Sequence, residues 1–367
     1  MQNSAPQSSI PSSTLDPASG TGLSAYAGFD KRSLVLQGQL RFEQDLGQYC
    51  HGKWLKPGGS QPILIRHSYL LAQGDYAPVL QGLSLRLCSS QGAWDLIMHN
   101  SPFFMADQSQ EFYGFMAAMQ SGEASLLAWV LAHANAWRFW LWLQHSQLNP
   151  MLTEAHGVHA FALWNANSER TWVKFRLLAE PNATGFGLAL KWRLQCQLMS
   201  EQQAKQQPNC FRASYLWPTE QYPWQDWACI ELSPEPLAEA QTQALAFSLG
   251  NILPGMGFSP DPLLDQRLAE YALAQEERLA KDYRQQGSNA SAAWSEQNSQ
   301  ALSPLASMPC DLALQQAAQY FQSLSPEAKT WILARLEQAA QGLALSSVEC
   351  EQLARVFAHH LPDWSSK

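Results

Sequence analysis

Charge is scarce in this chain of 367 residues: Asp, Glu, Lys and Arg make up 15% of it, against 46% hydrophobic residues. Its 23 basic residues are scattered singly among 31 acidic ones, for a net charge of −8. That leaves no basic stripe for a nucleic-acid backbone and no polybasic cluster for an anionic membrane, so neither is expected as a partner. No apolar run is long enough to span a bilayer, and the opening MQNSAPQSSIPSSTLDPASG lacks the charged and apolar regions of a secretory signal. A soluble, cytoplasmic protein is expected. The seven cysteines, at 50, 88, 196, 210, 229, 310 and 350, are odd in number and contain no C-x-x-C pair. This argues against a zinc ribbon or a dithiol redox motif and reads as reduced core thiols. No internal repeat is visible.

What the chain has is apolar mass, enough for a substantial core. Of its 15 tryptophans, three fall in the run Trp137 to Trp142, whose bulk demands core packing or a subunit interface before a cofactor wall. Residues 1–24 are rich in Ser, Pro and Gln and read as a flexible arm. From Ser33 to about Trp192 the segments QGQLRF, PILIRHSYLL, LSLRLCSS, GVHAFALWNA, TWVKFRLL and GLALKWRLQC alternate or run apolar between turn signals, which predicts an antiparallel barrel or curved sheet. Two helical stretches, SQEFYGFMAAMQ and EASLLAWVLAHANAWRFWLWLQ, interrupt it. A core over 25–285 is followed by a polar linker over 286–309. Three helices over 310–363 close the chain, opened by Cys310, by Ser325-Pro326 and by a capping box at Ser346–Glu349. The fold class is mixed α+β.

The most informative stretch is AFSLGNILPGMGFSPDPLLDQRLAEY, ending at Tyr271. Asp261 suits an N-cap and Pro262 the first helical position, so a helix should start there. Arg267, Tyr271 and Arg278 then fall near whole turns and share one face. A phenol ionises only near pH ~10, so metal ligation by a tyrosine needs a nearby cation or the metal itself. Arg267, one turn away, can supply it. The bland alternative is an amphipathic surface helix.

This stretch resembles the segment leading into the proximal haem-ligand helix of haem catalases, and further segments match that family in chain order: Arg41 to Gly47, Ile65 to Ser68, Trp94 to Phe104, His156 to Phe161 and Trp164-Asn-Ala. The resemblance covers about residues 29 to 363, and in size the chain is nearest the small catalase-related peroxidases. It implies a catalase-like antiparallel β-barrel core with helical insertions and a C-terminal helical subdomain, binding haem b through Tyr271. By the same resemblance Arg267, Asp261 and His159 form the network behind the ligand. Arg41, Arg66 and Arg278 match the propionate arginines, and Phe112 matches the aromatic that stacks on the porphyrin.

One position departs from the pattern. The family's essential histidine lies midway between an arginine and a glycine, here Arg41 and Gly47, and that position is Gln44. The family's distal asparagine falls on His99, or on Asn100 under a one-residue slip. Heterolytic cleavage of a peroxide needs a group that moves a proton, and an amide cannot. His99 is the best replacement and Glu43 the second; His51 and His67 are poorly placed. His156 with His159 reads as no metal pair, and His359-His360 as solvated. The resemblance implies a haem enzyme acting on hydrogen peroxide or an organic hydroperoxide with an unidentified reductant, as a homo-oligomer. A non-catalytic haem-binding protein of the same fold is the alternative.

Overall fold

The computed structural model describes residues 33–53, 58–69, 79–180, 184–185, 188–283, 309–357 and 360. The expected arm over 1–24 lies outside them, as does the 286–309 linker apart from Pro309.

Eleven strands lie among the described residues: β1 (Leu34–Phe42), β2 (Ser60–Tyr69), β3 (Gln81–Ser89), β4 (Gly92–His99), β5 (Glu154–Trp164), β6 (Arg170–Ala179), β7 (Thr184–Gly185), β8 (Leu188–Ala189), β9 (Lys191–Ser200), β10 (Gln225–Pro236) and β11 (Met256–Phe258). Antiparallel neighbours run β5-β4-β3-β2-β1-β10-β9-β6, and β6 pairs back onto β5, closing an eight-stranded barrel with β11 added beside β5. Period-2 alternation drives the closure. On β1, Leu36, Leu40 and Phe42 turn inward while Gln37, Gln39 and Arg41 face out. A Cβ on Gly38 would run into the Glu231 carbonyl, which explains glycine beside the β1–β10 register shift. Trp94, Trp192, Trp227, Phe161 and Phe175 fill the interior, each contributing about 1.5–3 kcal/mol by leaving water.

The described helices are α1 (Ser109–Gln120), α2 (Glu123–Ala132), α3 (Trp137–Ser146), α4 (Glu201–Gln206), α5 (Glu239–Ala244), α6 (Pro262–Tyr283), α7 (Cys310–Ser323), α8 (Pro326–Ala340) and α9 (Ser347–Phe357). Helices α1 to α3 and α7 to α9, with Leu263 of α6, form a second core. Helix α3 is buried from Trp137 through Gln144, so its tryptophans are core residues. Two indoles find acceptors between elements, Trp137 on Gln352 Oε1 (3.2 Å) and Trp331 on the Gln144 carbonyl (3.1 Å). Arg138 is buried among them, donates to the Ser214 carbonyl and lies over Phe103 (4.3 Å); burial lowers its pKa to about 9.

The stretch expected as one helix over 123–144 is two. His133 Nδ1 donates to the Trp129 carbonyl (2.8 Å) and its ring stacks on Trp129 (3.8 Å). That takes the acceptor of the next helical turn, and a 3₁₀ turn at Ala134–Ala136 redirects the chain. The capping box at Ser346 and Glu349 is reciprocal, with bonds of 2.6 and 3.3 Å. All seven cysteines are unpaired: Cys50, Cys196 and Cys210 are core thiols, whereas Cys310 and Cys350 are exposed on helix surfaces. No described helix is long and apolar enough to cross a membrane.

Candidate functional site

The site is assembled where α6 meets β5. The turn before α6 contains Gly255 at φ +87°, where a Cβ would lie 2.6 Å from Cys50 Sγ, so glycine is required. Asp261 then caps the helix: Leu263 N donates to its Oδ1 (3.0 Å). Its Oδ2 meets His159 Nδ1 at 2.7 Å. Arg267 Nη1 donates to His159 Nε2 (2.9 Å), and Nη2 donates to the Tyr271 hydroxyl oxygen (3.4 Å).

A guanidinium can only donate, so Nε2 of His159 accepts and Nδ1 carries the proton that goes to Asp261. The imidazole is therefore neutral, in line with a pKa lowered first by burial and then by Arg267, against the raising influence of Asp261. Asp261, His159 and Arg267 are 1%, 2% and 6% exposed. Their formal charges cancel, which permits burial, while one guanidinium N–H remains directed at the phenol. His159 reaches Asp261 from a stretch of β5 whose register with β6 shifts between Gly157 and Phe161.

On the other side of Arg267 lies an aromatic group. The guanidinium carbon is 5.2 Å from the Phe104 ring centre, Phe104 stacks on Phe112 (5.4 Å), and His99 lies 5.5 Å from Phe104. His99 is buried, and its Nε2 has no hydrogen-bond partner among the described residues; its Nδ1 accepts from Ser101 N (3.2 Å). Burial first, then Arg267, His156 and His159, hold its pKa well below the ordinary histidine range. Asn100 is occupied elsewhere, donating to the Val79 carbonyl (2.6 Å) and accepting from Gln81 N (3.1 Å). Of the two residues open under a one-residue slip, His99 is therefore the one joined to the cluster.

Other expected residues are placed differently. Gln44 lies in an exposed bend after β1: Phe42 turns into the barrel core, Glu43 N bonds the Trp227 carbonyl, and the chain then turns outward. The Glu43 carboxylate pairs with Arg193 (2.6 Å), and His51 is exposed. Arg41 is exposed and donates to Cys229 Sγ (3.4 Å). Arg66 is buried and donates to the Thr242 and Leu245 carbonyls (2.7 and 2.6 Å), stacking on Phe247 (4.8 Å). It clamps the segment that leads into α6, a role its strand position did not announce. The backbone of Arg278 is helical, but its side chain lies outside the described residues. His67 bonds Gln81 (2.9 Å) and His360 is exposed, while His359 lies outside the described residues.

Three contributors were missed in the sequence: Phe104; the pair Tyr113–Glu270 on α1 and α6; and Asp95, which binds Arg86, Ser248 N and Asn251 and so fixes the approach to α6. Residues 109 and 113, like 266 and 270, are four apart on their helices, and that spacing was the available signal for the α1–α6 contact.

An eight-stranded antiparallel barrel flanked by helices, with a chain Asp261–His159–Arg267–Tyr271 running between β5 and the start of α6 and its first three members buried, defines a class before any comparison is made. The family model described as "Catalase" matches residues 31–186 and 182–324. The chain belongs to the catalase family. It is 26% identical to a catalase of Helicobacter pylori over 293 residues and 27% identical to one of Neisseria gonorrhoeae over 292, covering 68% of this chain and 57% of each relative. It thus spans little more than half the length of those relatives. Among solved structures it resembles a fungal catalase with a TM-score of 0.73, at 17% identity, covering 90% of this chain and 84% of that one. A bacterial catalase gives 0.70, at 18% identity, covering 90% and 83%. At such identities the structural likeness establishes the fold alone.

Proposed function

We propose that this chain is a haem-dependent, peroxide-metabolising protein, a catalase-related peroxidase in which Tyr271 is the axial ligand to iron. The observation that carries the reading is the chain Asp261–His159–Arg267–Tyr271, whose first three members are buried and whose phenol is half-buried. A cation withheld from solvent and directed at a phenol oxygen is what a phenolate ligand needs, because its field is little screened there. Tyr271 is the ligand put forward because its hydroxyl oxygen is the group to which Arg267 Nη2 donates. The residues fit haem b on this side. The buried Nε2 of His99, without a partner among the described residues, also suits a pocket built to meet a further polar group.

Haem, when bound, supplies the redox chemistry of peroxide cleavage. The stacked rings of Phe104 and Phe112 offer an apolar surface for the porphyrin. Exposed Arg41, with Arg278, is proposed for the propionates, a task suited to a planar guanidinium. Arg66, held by two carbonyls, keeps the 242–247 segment in place. His99 Nε2 is the atom proposed to accept the peroxide proton. Its strongly lowered pKa keeps it neutral but makes it a poor proton acceptor. Gln44 cannot shuttle a proton at all. Disproportionation is therefore weak, and oxidation of an added donor predominates. The substrate is hydrogen peroxide or an organic hydroperoxide, the setting cytoplasmic, and the assembly a homo-oligomer.

The exposed bend at Gln44 favours a second reading, a haem-binding protein without turnover. Oxygen evolution and oxidation of a phenolic donor, both normalised to bound haem, distinguish the two. Donor oxidation well above that of free haem supports the peroxidase; activity no greater than free haem in both assays supports the binding protein.

A further inference from the structure

The barrel has one weak seam. Strand β4 pairs with β3 along its whole length, from Gly92 to His99, but meets β5 at a single pair of partners, His99 and His156. Beyond that pair the two strands part, and the segment leading into α6 fills the gap. Asp95 N donates to the Asn251 carbonyl (2.9 Å), Trp164 N donates to the Gly255 carbonyl (2.8 Å), and β11 pairs with Phe161, Ala162 and Leu163 of β5. The Asp95 carboxylate secures the same segment, accepting from Ser248 N (2.8 Å) and Asn251 Nδ2 (2.7 Å). One histidine pair therefore closes the end of a wedge that runs on into the helix of Arg267 and Tyr271.

Directly opposed residues of an antiparallel pair stand on the same face with Cβ atoms about 4.5–5.5 Å apart, so the two imidazoles are neighbours. Both are buried. His99 faces His156 and His159 of β5 and Arg267 of α6, all cationic or able to become so, and among the described residues no carboxylate lies within ion-pair distance of it. His156 Nε2, by contrast, lies 3.3 Å from Glu154 Oε2, and Arg176 of β6 is 3.8 Å from that oxygen. A proton on His156 has a counter-charge; one on His99 has none.

We propose that the His99–His156 pair is a proton-operated clasp: protonation of His99 parts β4 from β5 and loosens residues 248–258, opening the buried site in acid while the rest of the barrel stays closed. Every group involved belongs to the chain, so the clasp works whether or not haem is bound. Closed, the seam holds His99 neutral, its pKa well below the ordinary 6.5 through burial first and then Arg267, His156 and His159. Opened, the imidazole regains water and its ordinary affinity for protons. A proton is thus taken up on opening, so the closed seam is at full strength above pH 6.5 and weakens below it.

Hydrogen exchange of the full chain, followed amide by amide from about pH 7.5 to about pH 5 and expressed as protection to remove the intrinsic pH dependence, reads the seam. Protection at Asp95 and Trp164, whose amides bond the wedge, should fall by up to about tenfold per pH unit below the ordinary histidine value, the limit for one proton. Amides of the β1–β2 ladder should hold theirs. The fall should vanish in His99→Asn and steepen in Glu154→Gln, where His156 has lost its counter-charge. A merely structural pair predicts a constant offset in both variants with the wild-type pH dependence. Should His99→Asn fail to fold, the two ladders of the wild type and Glu154→Gln still decide. Wild-type protection at Asp95 and Trp164 that is flat with pH, or that falls together with the β1–β2 ladder, overturns the proposal, as does an unaltered slope in either variant. None of these outcomes bears on the haem reading, since no haem signal is read.

Discussion

Replacing Asp261 by asparagine changes no volume, yet the hydrogen-bond geometry makes it one of the most damaging conservative substitutions in the chain. Asp261 accepts twice, from Leu263 N at 3.0 Å and from His159 Nδ1 at 2.7 Å. An amide has one oxygen and one NH₂. If the oxygen serves the helix cap, the NH₂ faces His159, whose other nitrogen must still accept from Arg267. If the oxygen serves His159, the NH₂ faces the Leu263 N–H. One buried donor is orphaned either way, at about 1–3 kcal/mol. Removing the charge also leaves the Arg267 guanidinium, 6% exposed, without its balancing carboxylate, and breaking a buried pair costs about 3–5 kcal/mol. The two costs overlap, so a loss of about 3–5 kcal/mol is expected for Asp261→Asn. Asp261→Ala adds only about 1 kcal/mol for the lost cap. Urea unfolding measures both, and a lower midpoint with an unchanged slope is the expected form. An Asp261→Asn protein within about 0.5 kcal/mol of wild type, the range of an ordinary surface change, would refute the reasoning.

Acid should destabilise the protein through its histidines. His67, His99, His145 and His159 all have folded pKa values lowered from 6.5, chiefly by burial. The unfolded chain then binds protons first as pH falls, so their contribution is full above that value and lost below it. Urea midpoints should drop progressively below pH 6.5, and less steeply in His99→Asn, whose contribution is removed. A midpoint unchanged down to about pH 5 would contradict this. For the chemistry, Gln44→His should raise oxygen evolution per haem by at least about tenfold, below the usual 10²–10⁴ of a positioned base because the bend is exposed. His99→Ala should abolish the residual peroxide activity; full activity in His99→Ala would exclude His99 as the proton acceptor.

Where local rules and tertiary demands agree, the sequence was readable. Asp261-Pro262 announced the start of α6, the Pro-Gly turn before it was visible, and helical spacing put Arg267 and Tyr271 on one face. The barrel could be anticipated from strands such as β1, whose alternation survives. Strand β4 does not alternate cleanly because Asp95, on its outer side, is also fully buried under Arg86, Ser248 and Asn251. Strand β10 was missed because Cys, acidic residues and proline dilute its pattern. The break at His133 depends on a side chain capturing a carbonyl within its own helix, which periodicity does not register. The partners of Arg66 were hidden for another reason. Its acceptors lie 176 and 179 residues away, one in α5 and one at its end, and no local spacing reveals them. The Tyr113–Glu270 pair needed the α1–α6 register, which only the folded chain supplies.

Ligation of haem iron by Tyr271 is tested most directly by loading wild-type and Tyr271→Phe proteins with haem and comparing their ferric absorption and electron paramagnetic resonance spectra. The account predicts a high-spin, phenolate-ligated spectrum in the wild type and its loss in Tyr271→Phe, with Arg267→Ala weakened in between. A wild-type chain that takes up no haem, or a Tyr271→Phe spectrum identical to wild type, would contradict it.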